Sequence, residues 1–218
     1  MTTLPYRVLR ALEEFNAAHP WDHNAHYHPW ILRQLPRRFG NALDVGSGSG
    51  ELARLLAGRA DAVDGIDADP QITARARELT PRDAPVGFTV ADALTGVPAE
   101  SYDVITCVAT VHHLPFTEAL TVFRRHLAPG GTLVLLGLAR PGTPADYLLG
   151  TVAAPLNAAT GLLKNRGHAA PPPVSMTART RPAEMSFPEI VREATAVLPR
   201  ARLRRRLFWR YSLVWRRC

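Results

Sequence analysis

The chain has 218 residues, of which 46% are hydrophobic and 21% charged, with a formal net charge of +7 and two cysteines. That length and composition exclude a disordered chain or a charged coiled coil, and they predict one domain that needs neither metal nor disulfide to hold it together. The charge is local: residues 200–218 hold eight arginines and no acid, which favours an arginine-rich face in water over a polyanion-binding protein.

In chain order, Leu4, Val8, Leu12 and Phe15 recur at helical spacing and predict a helix over 4–18. Met1 to Asn16 lacks the apolar stretch of a signal peptide. The longest apolar runs, such as 133–139, fall far short of the roughly 20 residues that cross a bilayer, so the expectation is a cytoplasmic protein without a membrane segment. Pro20 and the run Trp21, Asp22, His23, Asn24, Ala25, His26, Tyr27, His28 interrupt the pattern before a short helix over 29–35, entered at Pro29. A strand over 42–45 runs into Gly46, Gly48 and Gly50, followed by a helix over 51–60. A strand over 63–66 is closed by Asp67, and Asp69 with Pro70 opens a helix reaching Leu79. A third strand, 86–90, precedes Asp92. A strand over 102–108, a helix over 116–127, the turn Pro129, Gly130, Gly131 and a strand over 132–138 continue an alternation that predicts a mostly parallel sheet covered on both faces. Residues 141–185 break the rhythm, with a helix from Asp146 towards Leu163 and a proline-rich loop over 167–173. Ser186 and Glu189 form a capping box for a helix over 188–198. Residues 203–209 and 211–215 read as a terminal strand pair of alternating arginine and apolar positions.

Chemistry concentrates first in Leu43 to Gly50. Between a strand and a helix, backbone without Cβ atoms can approach a ligand while the helix presents unpaired amides. Glu51 stands where the dehydrogenase fingerprint needs a third glycine, and no Lys-Ser/Thr pair follows as a phosphate-binding loop requires. Asp44 would repel a pyrophosphate but attract an ammonium or a cationic cofactor. Asp67 and Asp92 fall at the carboxyl ends of strands, the edge at which such sheets bind ligands, and a carboxylate suits paired hydroxyls. Asp69, directly before Pro70, reads as a helix cap.

On these residues, and over roughly 38–140, the chain resembles the class I S-adenosylmethionine-dependent methyltransferases, in a bacterial small-molecule-type group. Residues 102–107 continuing into Val111, His112, His113 and Leu114, and Leu127 to Gly131, match that family's later segments. The resemblance implies a Rossmann-like α/β fold with a seven-stranded, mostly parallel sheet in the order 3-2-1-4-5-7-6 and an antiparallel strand 7. It divides the chain into an N-terminal helical lid (1–36), a cofactor-binding core (37–140), a substrate-side insertion (141–185) and a C-terminal helix and strand pair completing the core (186–218). S-adenosyl-L-methionine is the implied cofactor and S-adenosyl-L-homocysteine the product. Asp44, Gly46, Ser47, Gly48 and Gly50 would follow its methionine and ribose portion, Asp67 with Ala68 the ribose, Asp92 with Ala93 the adenine, and Val108 would end the fourth strand beside it.

His23, His26, His28, His112 and His113 group on two loops. A metal site is the rival reading, because imidazole ligates zinc and other transition metals, but the separations match no zinc spacing and no metal is expected. The family architecture puts the 112–113 loop beside the reacting methyl, with His113 first and His112 second as candidate bases. It folds Trp21, His23, His26, Tyr27 and His28 over the same opening, with Tyr147, Leu148 and Met176 lining the acceptor side. A sulfonium is an excellent leaving group, so positioning and water exclusion can carry the rate without a base. The absence of an Asn/Asp-Pro-Pro-aromatic signature after the fourth strand counts against nucleic acid. Methyl transfer to a small aromatic or hydrophobic metabolite, at O, N or C, is the expectation for a monomer or homodimer. A peptide or RNA acceptor, or a cofactor-binding member without catalysis, are the alternatives. Trp209 and Trp215 read as packing groups and Arg210 as an anchor of the hairpin terminus.

Overall fold

The computed structural model describes residues 3–98, 101–176 and 181–218, without the side chains of 3–9, so Leu4 and Val8 lie outside the described side chains. Helices α1 (Thr3–Ala18) and α2 (His28–Gln34) precede β1 (Phe39–Val45), α3 (Glu51–Ala57), β2 (Ala60–Asp67), α4 (Pro70–Glu78), β3 (Val86–Val90) and β4 (Tyr102–Val108). Then come α5 (Phe116–His126), β5 (Leu127–Leu138), α6 (Pro144–Lys164), α7 (Phe187–Val197), β6 (Arg202–Arg206) and β7 (Arg210–Arg216). The strands form one sheet in the order β3-β2-β1-β4-β5-β7-β6. Pairing is parallel from β3 across to β5 and antiparallel where β7 meets β5 and β6. This is the Rossmann-like order, with its reversed strand, that the resemblance implied.

Strand side chains alternate between faces, so neighbours in sequence serve opposite layers. Leu43, Ile105, Leu133 and Leu213 pack with Phe123 of α5 and Ile190 of α7. Ala42, Val104, Val134 and Val214 turn to the other face, against Ile31 of α2 and Leu56 of α3. A sheet covered on both sides leaves no polar face, which is why its central strands read as continuous apolar runs. A third cluster joins Trp21, Tyr27, Leu136, Ala153 and Phe208 and ties the N-terminal segment and α6 to the sheet.

Several elements depart from their predicted bounds. β1 and β2 begin earlier than their apolar runs because Phe39 pairs with Ala60, and backbone pairing does not require buried side chains; α3 therefore ends at Ala57. β5 takes in Pro129, Gly130 and Gly131, as Gly130 N–H donates to Arg217 O (2.7 Å) and Arg217 N–H to Gly131 O (3.0 Å). The terminal pair is shorter on its first strand than expected: β6 stops at Arg206, and Leu207, Phe208 and Trp209 make the turn. Phe208 and Trp209 both adopt positive φ (56° and 59°), a conformation no alternation pattern encodes, held here by burial of Phe208. Trp215 is buried as expected, whereas Trp209 stays 48% exposed. Among the described residues no helix is long and apolar enough to cross a membrane.

Candidate functional site

The parallel strands all deliver their carboxyl ends to one edge, and β1 leaves it through Gly46, Gly48 and Gly50 at φ +68°, +53° and +78°, a region that favours glycine. Gly46 and Ser47 N–H both donate to Ile66 O (2.8 and 3.0 Å), locking the turn against the end of β2. Gly48 N–H donates to Asp67 Oδ2 and Asp69 N–H to Asp67 Oδ1, each at 2.9 Å. Two backbone amides thus orient the Asp67 carboxylate and leave lone pairs for further donors. A Cβ at Gly46 would lie 2.0 Å from Thr110 Oγ1 and one at Gly50 2.5 Å from Phe88 Cζ, but one at Gly48 meets nothing within 4 Å. The turn is packed at both ends and open in the middle.

Asp44 lies beneath this turn, buried, with Thr106 Oγ1 donating to its Oδ1 at 2.7 Å. Burial pushes its carboxyl up to about 7, against the Thr106 hydrogen bond and with help from the Asp67 charge. Ser47 Oγ is buried without a hydrogen-bond partner among the described residues. An open glycine backbone, an orphaned hydroxyl, a carboxylate aimed by amides and a buried carboxyl that a cation would ionise together fit a cationic, hydroxyl-bearing cofactor. Ala68 is exposed just past Asp67. Asp92 is exposed as well, and its Oδ1 accepts from Leu94 N–H, Thr95 N–H and Thr95 Oγ1 (2.9, 3.0 and 3.1 Å), bonds that hold its pKa low and organise the turn containing buried Ala93.

Val108 ends β4, and Ala109 then adopts φ +51° to swing the chain into the turn Val111–His113. The His112 and His113 rings lie 4.0 Å apart, tilted by 39°. His112 Nδ1 is buried without a hydrogen-bond partner among the described residues. Burial, then the charges of His113 and Arg210, press its pKa down to about 4, against the raising influence of the Arg181 backbone. The ring is neutral at pH 7. The His113 pKa is lowered too, by burial and Arg181.

The N-terminal segment meets α6 and the hairpin turn. Trp21 Nε1 donates to Asn157 Oδ1 at 2.9 Å, and His23 Nε2 lies 2.7 Å from the same oxygen; an amide oxygen only accepts, so His23 is protonated at Nε2. Burial lowers the His23 pKa against that bond. Tyr27 Oη donates to Leu207 O (2.9 Å), and exposed His26 stands edge-on to Trp21 and Phe208. His28 is separate from this group: it is buried, its Nδ1 without a hydrogen-bond partner among the described residues and 3.8 Å from Glu51 at the start of α3, next to the glycine turn. Tyr147 stays 63% exposed on α6 and does not line the cleft between α6, α7 and the hairpin. Among the described residues no three His, Cys, Asp or Glu side chains group to hold a metal. A cavity of about 510 Å³ beside Arg124, Trp215 and Cys218 lies at the opposite, amino edge of the sheet.

Sequence reasoning missed Thr106 and Thr110, which buttress Asp44 and Gly46, and Asn157, which joins Trp21 to His23. Asn157 did leave a signal, as a lone amide on an otherwise apolar stretch of helix.

Residues 43–135 match the family model described as a methyltransferase domain. An uncharacterized methyltransferase of Mycobacterium tuberculosis is 29% identical over 199 residues, 90% of this chain and 97% of that protein. The demethylmenaquinone methyltransferase of Thermus thermophilus is 32% identical over 141 residues, 62% of each chain. Among solved structures, the N-methyltransferase NodS of Bradyrhizobium japonicum in complex with S-adenosyl-L-homocysteine has the same fold, with a TM-score of 0.58 at 20% identity over 95% of this chain and 97% of that one.

Proposed function

We propose that the chain is a class I S-adenosylmethionine-dependent methyltransferase and that it methylates a small aromatic or otherwise hydrophobic metabolite. The observation that carries this reading is the glycine turn, open at Gly48 and tied through its amide to the Asp67 carboxylate. The aromatic residues lining the cleft beside α6, Phe187, Trp209 and Tyr211, and a relative named for demethylmenaquinone support an apolar ring as the acceptor.

When bound, S-adenosyl-L-methionine supplies an activated methyl on a positively charged sulfur. In this reading Asp67, with Ala68 alongside, holds the ribose hydroxyls, Ser47 and Gly48 hold the methionine portion, Asp44 sits beneath its ammonium, and Asp92 and Ala93 flank the adenine. Trp21, His23, His26, Tyr27 and His28 close over the opening and exclude water, which competes as a nucleophile. His113, the less buried of the two histidines, accepts a hydrogen bond from the acceptor's O–H or N–H and carries its proton away. His112, neutral with a pKa of about 4 and its Nδ1 enclosed, lies 4.0 Å from it and positions its ring. The two cysteines, Cys107 buried and Cys218 exposed, are both free, which supports a reducing cytoplasmic location; the protein acts as a monomer or homodimer.

Calorimetric titration with S-adenosylmethionine and S-adenosylhomocysteine, beside NAD and ATP, on wild type and Asp67→Ala tests the reading. Selective binding of both S-adenosyl compounds, lost in the variant, is the expected result. Folded wild type that binds neither would sink it.

A further inference from the structure

Three arginines of the β6–β7 hairpin line the cleft beside α6 at the carboxyl edge, and two of them are accounted for. Arg205 Nε donates to Asp146 Oδ1 (2.6 Å), Nη2 to Thr143 Oγ1 (3.1 Å), and its guanidinium covers the Phe187 ring at 4.2 Å. Arg206 Nε donates to Ser212 Oγ (2.9 Å) and its guanidinium lies 4.3 Å above Trp30.

Arg210 differs. It is part-buried, and its Nε and Nη2 donate to Asn24 Oδ1 (3.1 and 3.0 Å) while Nη1 donates to Phe208 O (3.2 Å). Both acceptors are neutral, and among the described residues no carboxylate lies within 4.0 Å of it. Asp22, an acid whose charge reaches it, is instead engaged by Ser175 and by the amides of Asn24 and Ala25. A charge withdrawn from water and met only by neutral dipoles is incompletely compensated, and a guanidinium has more N–H donors than these bonds use.

Arg210 starts β7 opposite Leu138, at the end of β5. Its bonds to Asn24 tie the guanidinium to the N-terminal segment, and its charge disfavours protonation of His112 on the histidine loop. Three strand steps, about 14 Å, separate β7 from β1 and its glycine turn, so Arg210 lies on the side away from the cofactor turn.

We propose that Arg210 is the receptor for an anion on the acceptor, so that the substrate is an aromatic or hydrophobic acid bearing a carboxylate or similar oxyanion. This deepens the methyl-transfer reading and rests on it. A forked guanidinium–carboxylate pair both orients the ring against the histidine loop and selects against neutral analogues. The cofactor's methionine portion also carries a carboxylate, and the experiment separates the two sources.

Benzoate and salicylate are titrated against benzamide and salicylamide into protein saturated with S-adenosylhomocysteine, using wild type, Arg210→Gln and Arg210→Lys; S-adenosylhomocysteine is titrated alone into each. Acids binding wild type at least ~10-fold more tightly than their amides, a contrast abolished in Arg210→Gln and partly kept in Arg210→Lys, with cofactor-product affinity unchanged, is the expected result. Equal binding of acid and amide by wild type overturns the proposal. So does loss of S-adenosylhomocysteine binding in a folded Arg210→Gln, which would give Arg210 to the cofactor's own carboxylate. Wild type that fails to bind S-adenosylhomocysteine removes the methyltransferase reading itself, and the proposal with it. If thermal melting shows Arg210→Gln unfolded, the wild-type acid–amide contrast and the lysine variant decide.

Discussion

The two sides of the carboxyl edge are built on different principles. The glycine turn and its partners are backbone devices between nearby strands: Gly48 and Asp67 meet 19 residues apart through an amide, and Gly46 is required because Thr110 fills the space of a Cβ. The facing side is a network of side chains from distant segments, with His23 to Asn157 134 residues apart, Tyr27 to Leu207 180, and Asn24 to Arg210 186. Backbone devices tolerate few residue types and so read as motifs. Side-chain networks can be assembled in many ways and leave little signature, which suits a scaffold that keeps its donor and varies its acceptor.

The contrast breaks most visibly inside the turn. Gly46→Ala forces a Cβ onto Thr110 at positive φ and is expected to cost ~3 kcal/mol or more in urea unfolding, together with all S-adenosylhomocysteine binding. Gly48→Ala meets open space, so its stability should fall by only ~1 kcal/mol while cofactor-product affinity drops by about a hundredfold; near wild-type affinity would mean that the turn is not the cofactor cradle.

On the facing side, Asn157→Leu leaves the His23 donor without this partner and Trp21 Nε1 with only its longer bond to Asn157 O (3.2 Å). A loss of about 2–3 kcal/mol and faster amide exchange in residues 20–28 should follow, with S-adenosylhomocysteine binding intact. Matching losses on both sides would erase the distinction. Once an acceptor is in hand, His113→Gln should slow transfer by ~10- to 100-fold, and His112→Gln by less, read as kcat at saturating cofactor.

The smallest effect is a proton. The Asp44 carboxyl is raised to about 7 from a usual 3.8, so the folded apoprotein holds a proton that the unfolded chain has released. Its contribution to stability is present below the usual value and fades as pH rises towards 7. An ammonium beside it favours the ionised form, so cofactor binding should release a proton at pH 6 but not at pH 8, with affinity up to about tenfold weaker at pH 6. Calorimetry in two buffers of different ionisation heat reads this directly, and equal heats at pH 6 would remove the ammonium from Asp44. His23, His28 and His112, all lowered mainly by burial, act with the opposite sign: their stability is lost as acidification passes the ordinary histidine range.

Sequence alone determined the alternation of strands and helices, the cap of α4, where Asp69 Oδ1 accepts from Gln71 and Ile72 N–H, and the Ser186–Glu189 capping box. It also marked the glycine turn with its facing acids. All of these answer to local backbone demands, which a short window of residues records. Only the tertiary structure decided where the terminal hairpin turns, because Phe208 adopts a left-handed conformation to reach a cluster built from Trp21 and Ala153. It alone set the tautomer of His23, which depends on Asn157. It alone separated Arg210 from seven other terminal arginines: charge is written in the sequence, but whether a charge finds a carboxylate depends on which distant segments fold against it.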